Sequence, residues 1–306
     1  MLNPKALSII LSCICILILI ANADAQDATT QPADQLAAAP APAKRAQPQQ
    51  INPATDHDQL VNDLQSGDDT RVTSALAGIR AYIQKHGTSL PETRALRILL
   101  DAKRYSDLDA MALAQILKGP GYTLGTAAME KLRAQSFLAA GNGAAALSAA
   151  KAYYNVARLK DTADAIDTIS LCLAAAHPDD PEIVQRFKEQ QVAWATAAPS
   201  TQPDQTPADA TLGDPILAGI QLDSKPFDAA IAGIDLDEYA QFVSKGNLLL
   251  LAGRAAEAHE VFNKAVPIAP AAKAGEAAES VARAIRAEAG CVAPANAYIL
   301  SLQVAK

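Results

Sequence analysis

Aromatic side chains are scarce in this chain. Phe, Trp and Tyr make up 4% of its 306 residues, although half of the residues are hydrophobic. Alanine supplies much of that hydrophobic share, whereas strand-rich cores are built from β-branched and aromatic residues. No run of alternating β-branched residues predicts a strand. The composition therefore excludes a β-sandwich and predicts an all-α fold in which helices pack through small side chains.

Cysteine and histidine are also rare, with four of each. Cys172 and Cys291 stand alone in helical patterns, so no cysteine cluster has metal-ligand spacing, and the sequence leaves open whether these two pair. The histidines form neither a His-x-x-x-His nor a His-Glu-x-x-His pair. A Gly-x-Ser-x-Gly elbow and the Lys-Ser/Thr of a phosphate-binding loop are missing as well. We therefore predict no metal, no cofactor and no catalytic residue.

Positive charge is in deficit. The chain has 26 Lys and Arg against 33 Asp and Glu, a formal net charge of -7. The acidic residues are spread through the predicted helices rather than gathered in one block. Because a nucleic-acid groove needs a face rich in Lys and Arg, we predict that nucleic acid is not a partner.

The sequence has one long apolar run, residues 6–20, and no second run of that length. Lys5 precedes it, and two small-x-small cleavage sites follow it, Ala-Asn-Ala ending at Ala23 and Ala-Asp-Ala ending at Ala25. These features are typical of a secretory signal peptide, and the run is short for a membrane span, which needs about 20 residues. We predict a signal peptide at residues 1–23 and an exported protein, periplasmic or extracellular. The alternative is an uncleaved N-terminal anchor, which would make the membrane a partner.

Proline-containing segments divide the rest of the chain. Residues 24–56 are rich in Ala, Pro, Gln, Asp and Thr and have few large apolar residues, which predicts a disordered spacer. Residues 198–212 contain three prolines and interrupt the helical pattern, which predicts a linker. We expect one helical block at 57–197 and a second at 213–306, each large enough to hold a core.

Helical periodicity and breakers predict the individual helices. In the first block they span 58–64, 70–85, 91–102, 106–117, 124–140, 144–158, 162–175 and 181–196. In the second block they span 276–289 and 294–304, behind a helix-turn-helix that ends near residue 266. Because short, breaker-rich turns join the helices, we predict stacked helical hairpins.

Residues 239–272 carry the most regular pattern in the chain. Its landmark positions are Phe242, Gly246, Leu249, Gly253, Ala258, Phe262 and Pro270. The first three lie on one face of a helix, and Ala258 and Phe262 lie on one stripe of a second helix. Gly253 falls at the turn between them, where a left-handed backbone conformation costs little only for glycine. Small Gly246 and Ala258 let the two helix axes approach closely.

The spacing of these landmarks resembles a tetratricopeptide repeat, a paired-helix unit of about 34 residues. Phe242 stands where the family has Trp, Lys245 where it has Leu, and Leu249 where it has Tyr. The resemblance implies an α-solenoid of stacked hairpins. The first block shows only degenerate echoes of the repeat, such as Gly141 followed five residues later by Ala146.

The resemblance also implies a binding face, because the first helix of each such repeat lines the concave surface of the stack. The matching positions are Ala240, Val243, Asn247, Leu250 and Leu251. Family members that clamp a peptide carboxylate carry Asn at the position of Asn247, but their Lys is replaced here by Val243, so the groove is expected to be mainly apolar. The alternative is that these residues pack against Ile220, Ile231 or the preceding helix.

Together these patterns favour an exported, non-catalytic helical-repeat protein that binds a protein or peptide partner or helps to assemble a complex in the cell envelope. Two alternatives stay open. One is an all-α enzyme whose site is too dispersed to see in one sequence, and the other is a purely structural envelope spacer. A concave pocket that gathers several carboxylates, or at least two histidines, would favour the enzyme.

Overall fold

The computed structural model describes residues 50–86, 90–118, 124–196 and 214–304. The predicted signal peptide, nearly all of the predicted spacer and the predicted linker at 198–212 lie outside these ranges. Within them the chain forms fourteen α-helices, three short 3-10 helices and no strand, which confirms the all-α prediction. No helix in the same ranges is both long enough and apolar enough to cross a membrane.

The helices agree closely with those predicted from periodicity. In chain order they are α1 His57–Gln65, α2 Asp69–His86, α3 Leu90–Asp101, α4 Tyr105–Lys118, α5 Leu124–Ala139, α6 Gly143–Val156, α7 Thr162–Ala176, α8 Ile183–Thr196, α9 Pro215–Gly219, α10 Lys225–Ala232, α11 Tyr239–Leu251, α12 Ala255–Ala265, α13 Ala274–Ala289 and α14 Ala293–Val304. Only α9 and α10 were not predicted, because five and eight residues are too few to show a clear period.

Consecutive helices pack against each other along the chain. The most extensive contacts are those of α5 with α6, α6 with α7, α11 with α12 and α12 with α13. Left-handed residues make the tight turns: Gly141 (φ 76°) stands between α5 and α6, Gly253 (φ 77°) between α11 and α12, and Lys103 (φ 59°) between α3 and α4. The described part of the chain is therefore a series of helical hairpins, as predicted.

The predicted close approach of α11 and α12 is confirmed where Gly246 faces Phe262. A Cβ atom on Gly246 would lie 2.3 Å from the Phe262 ring. The Phe262 side chain is fully buried, with 0% of its surface exposed. Glycine is needed at 246 because any larger residue would have to displace the ring.

The helices on either side of the undescribed segment 197–213 belong to one compact unit. Helix α6 packs against α11 and α13, and α4 packs against α10. One hydrophobic core runs through both parts, so the prediction of two blocks with separate cores is corrected. The reason lies in α6, where nine of fourteen residues are buried, because a helix that is apolar on most sides has to be covered on most sides.

A break in the chain between the two parts is expected to leave them associated. A site-specific protease sequence inserted after Thr206 would cut within the predicted linker. Because the core and buried hydrogen bonds cross between the parts, the cut protein should elute from a native gel-filtration column at the volume of the uncut protein. The same digest in urea serves as a control and should give two separate pieces. Separation in native buffer would show that the shared core does not hold the parts together.

The two cysteines of the folded part are both free and buried. Burial raises the pKa of Cys172 to about 12, so its thiol stays protonated at neutral pH. Burial also raises the pKa of Cys291. The pairing that the sequence left open is therefore not formed, and both residues act as small core side chains.

Candidate binding cleft

The five residues predicted to form a binding face do not share an open surface. Asn247 is 3% exposed, Leu250 is 0% exposed and Leu251 is 2% exposed, so these three belong to the core. Val243 is half-buried and Ala240 is exposed. The prediction is therefore corrected at the three buried positions.

Helix α6 of the same chain covers this face. Asn155 Nδ2 on α6 donates to the Leu250 carbonyl oxygen at 3.0 Å. Arg283 on α13 donates to Asn247 Oδ1 at 3.0 Å and to the Val156 carbonyl oxygen at 3.2 Å. Asn247 thus helps to hold the carboxyl end of a helix from its own chain. No local pattern predicts this contact, because Asn155 lies 95 residues from Leu250.

A second buried arginine completes the contact with α6. Arg286 is 0% exposed and donates to Thr162 Oγ1 at 2.8 Å, to the Ala157 carbonyl oxygen at 2.7 Å and to the Tyr154 carbonyl oxygen. The last carbonyls of a helix have no partner inside it and carry the negative end of the helix dipole. The end of α6 therefore supplies both acceptors and a favourable field for a buried cation.

Val243 lines a cleft of about 250 Å³ between α11 and α13. Arg158 and Arg283 bring two positive charges to this cleft, and Glu276 and Glu279 bring two negative charges. Arg158 and Glu279 form an ion pair with an N–O distance of 3.2 Å. Because the formal charges of the lining side chains cancel, this cleft has no preference for a charged ligand of either sign.

A larger cleft, of about 350 Å³, lies where α4, α5 and α6 meet the segment that leads into α10. We call it the acidic cleft. Its lining residues are Asp109, Leu113, Glu130, Arg133, Phe137, Ala145, Ser148, Ala149, Ala152, Leu222, Asp223, Pro226, Phe227 and Leu251. Leu113 and Phe137 on one wall and Leu222 and Pro226 on the other are half-buried. Apolar walls with a few fixed polar groups are the usual composition of a ligand site.

Three ionic side chains form a network in the acidic cleft. Arg133 Nε donates to Asp109 Oδ1 at 2.6 Å, and Arg133 Nη1 donates to both carboxylate oxygens of Glu130 at 3.0 and 2.9 Å. Side-chain exposure falls from 29% for Asp109 to 15% for Arg133 and 0% for Glu130. The network therefore runs from the opening of the cleft into the core.

Glu130 is the most deeply buried acid of the network. Burial raises the pKa of Glu130, against the lowering effect of Arg133. A carboxyl group with a raised pKa in a cleft is the kind of group that serves as a general acid. Glu130, however, has no exposed surface, and both of its oxygens accept from Arg133. Its contacts hold Arg133 in place and, through Arg133, orient Asp109.

Asp223 adds a third carboxylate, from the opposite part of the chain. It is exposed, and its Oδ1 accepts from the backbone N–H of Lys225 at 3.1 Å. Asp109 and Asp223 are thus the two lining carboxylates with surface open to a bound molecule. In the described ranges no group of three or more His, Cys, Asp or Glu side chains has the geometry of a metal site.

Sequence reasoning missed this cleft because no spacing motif connects its polar residues. Glu130 and Arg133 are three apart on α5, a separation that on most helices marks a solvated ion pair. Asp109 lies on α4, 24 residues before Arg133, and Asp223 lies beyond the predicted linker at 198–212. Only the packing of α4 and α10 brings the two aspartates into one cleft.

Comparisons of the chain with family models, with curated proteins and with solved structures gave no match. The resemblance of residues 239–272 to a tetratricopeptide repeat stays a prediction.

Proposed function

We propose that the protein is an exported, non-catalytic helical scaffold that holds a protein or peptide partner in the acidic cleft. The observation that carries the proposal is the cleft itself, which has a volume of about 350 Å³, apolar walls and a fixed ionic network. The N-terminal features of the sequence support export. The partner is a polypeptide and not nucleic acid, because the chain is acidic overall.

The walls of the cleft favour an apolar anchor from the partner. Leu113, Phe137, Leu222 and Pro226 each keep part of their surface exposed. An apolar side chain that enters between them would remove this surface from water, at about 25 cal/mol for each Å² buried. A few well-seated anchor side chains of this kind supply most of the affinity in peptide and protein complexes.

An enzymatic role is the competing proposal, because the cleft gathers several carboxylates. A pair of catalytic carboxylates has to reach the reacting atoms of a substrate. Glu130 has no exposed surface, and Asp109 is tied to Arg133 at 2.6 Å. The lining residues also include no His, Cys or Tyr in the described part of the chain. The arrangement therefore favours binding over catalysis.

Selection of peptides tests the proposal. Random 12-residue peptides displayed on phage are panned against the chain from Asp24 onward, and each selected peptide is titrated against two variants of α6. Ala145 lines the cleft and is half-buried, whereas its neighbour Ala144 is exposed and lies outside the lining. We expect Ala145→Trp to fill the cleft and weaken binding by about tenfold or more, and Ala144→Trp to bind like the parent.

Circular dichroism and thermal melting of both tryptophan variants show whether they are folded. If Ala145→Trp fails to fold, Ser148→Trp takes its place, because Ser148 also lines the cleft. Selected peptides whose affinity is unchanged in the folded cleft-filling variant would contradict the proposal. A selection that yields no binding peptide would contradict it as well.

A further inference from the structure

We infer that the partner anchors in the acidic cleft through a cationic side chain, Lys or Arg, that stands next to an apolar residue. This inference rests on the proposed function and specifies the partner of the same site. Three carboxyl groups line the cleft, from Asp109, Glu130 and Asp223, and one guanidinium, from Arg133, stands against them. The excess charge is therefore negative.

The positive charge of Arg133 is already balanced inside the network by the carboxylates of Asp109 and Glu130. Its Nε and Nη1 atoms donate to Asp109 and Glu130 at 2.6 to 3.0 Å, and its side chain is 15% exposed. It is therefore poorly placed to attract a carboxylate from a partner, because two carboxylates already balance its positive charge and little of its surface is exposed. An acidic partner segment would meet the carboxylates without a compensating cation.

Half-buried Asp109 and exposed Asp223 keep acceptor positions for a partner. Asp109 accepts one hydrogen bond, at Oδ1, and Asp223 accepts one hydrogen bond, at Oδ1, within the described residues. Among the described residues no donor contacts the Oδ2 atom of either aspartate, so this atom can accept from a partner. An ammonium or guanidinium group carries several donors and no acceptor, which matches this pair of carboxylates.

The apolar walls fit the rest of such an anchor. Lys and Arg carry a long aliphatic stem that packs along apolar surface while the charged end stays at a polar group. Phe227, Leu222 and Leu113 line the cleft together with the aspartates. Low-dielectric walls also strengthen the attraction between the carboxylates and a cation. The cleft beside Val243 lacks this excess, because its two acids are balanced by two arginines.

Charge-neutral peptide variants test the inference directly. In peptides whose binding depends on the cleft, each arginine is replaced in turn by citrulline, which has nearly the same shape and no charge, and each lysine by norleucine. We expect one replacement per peptide to weaken binding by about tenfold or more, and binding of the parent peptide to fall as salt rises.

Matched changes in the protein complete the test. Asp109→Asn and Asp223→Asn should each weaken binding of the parent peptide. Binding of its citrulline or norleucine variant should be nearly unchanged. Asp235→Asn is the control, because this substitution removes the same charge at an exposed residue that lies outside the cleft. If Asp109→Asn does not fold, Asp223→Asn decides, since Asp223 is exposed on a connecting segment.

The outcomes separate this inference from the proposed function. One contrary outcome is a peptide that loses binding with Ala145→Trp and yet contains no basic residue, or that binds equally well when its basic residue is replaced by citrulline or norleucine. Such a peptide would overturn the cationic anchor but not the proposed function. Peptides that bind independently of the cleft, or no peptides at all, would overturn both.

Discussion

Replacing Arg286 with Met is expected to lower the free energy of unfolding by about 3–5 kcal/mol. The methionine fills similar space but donates no hydrogen bond. The carbonyl oxygens of Tyr154 and Ala157 and the hydroxyl of Thr162 would then lose a donor that reaches them inside the core. Each buried acceptor left without a partner costs about 1–3 kcal/mol, and the end of the α6 dipole would lose its cation.

Urea unfolding followed by circular dichroism measures the effect. Arg80→Met on α2 makes the same chemical change at an exposed position and should alter stability by no more than about 0.5 kcal/mol. Equal midpoints for the two variants would mean that Arg286 does not fasten α13 to the end of α6. Other contacts would then have to hold α6 and α13 together.

Replacing Phe262 with Ala is expected to cost about 3–5 kcal/mol of stability. The ring is fully buried and fills the space that Gly246 leaves between α11 and α12. Arg283 also lies over it, with the guanidinium carbon 5.7 Å from the ring centroid. Alanine would leave a cavity at this point and remove the contact with a buried cation.

Thermal or urea unfolding again supplies the measurement. Leu171→Ala is the control, because Leu171 is 66% exposed and its truncation should cost less than about 1 kcal/mol. Gly246→Ala probes the same contact from the other helix and should cost about 1–3 kcal/mol, since its Cβ would overlap the ring. If the Phe262→Ala variant unfolds at the same midpoint as the parent protein, α11 and α12 do not pack as described.

Local patterns were enough to predict the helices and their turns. Gly253 marked a turn that proved to need a left-handed residue, and Phe262 marked a stripe that proved to be buried. These signals are local because helical period and turn chemistry depend on residues a few positions apart. The short helices α9 and α10 escaped because they hold too few residues to establish a period.

The packing between the helices before residue 197 and those after residue 213 could not be predicted from local patterns. Arg283 and Arg286 would usually be assigned to a solvated helix face, since arginine is seldom fully buried without a partner. Their partners are the carbonyls at the end of α6, up to 132 residues away. Every residue has a backbone carbonyl, so residue types do not show which carbonyls accept hydrogen bonds from a side chain. Neither the burial of the two arginines nor the covering of Asn247 could therefore be predicted.

The position of a bound peptide tests the central claim most directly. We would determine the crystal structure of the protein with the tightest of the selected 12-residue peptides. The account predicts a Lys or Arg side chain within about 4 Å of the Asp109 or Asp223 carboxylate, where an ion pair forms, and a neighbouring apolar side chain against Phe227 or Leu222. A peptide seated elsewhere, for example across the exposed Leu171, with the acidic cleft empty, would contradict the account.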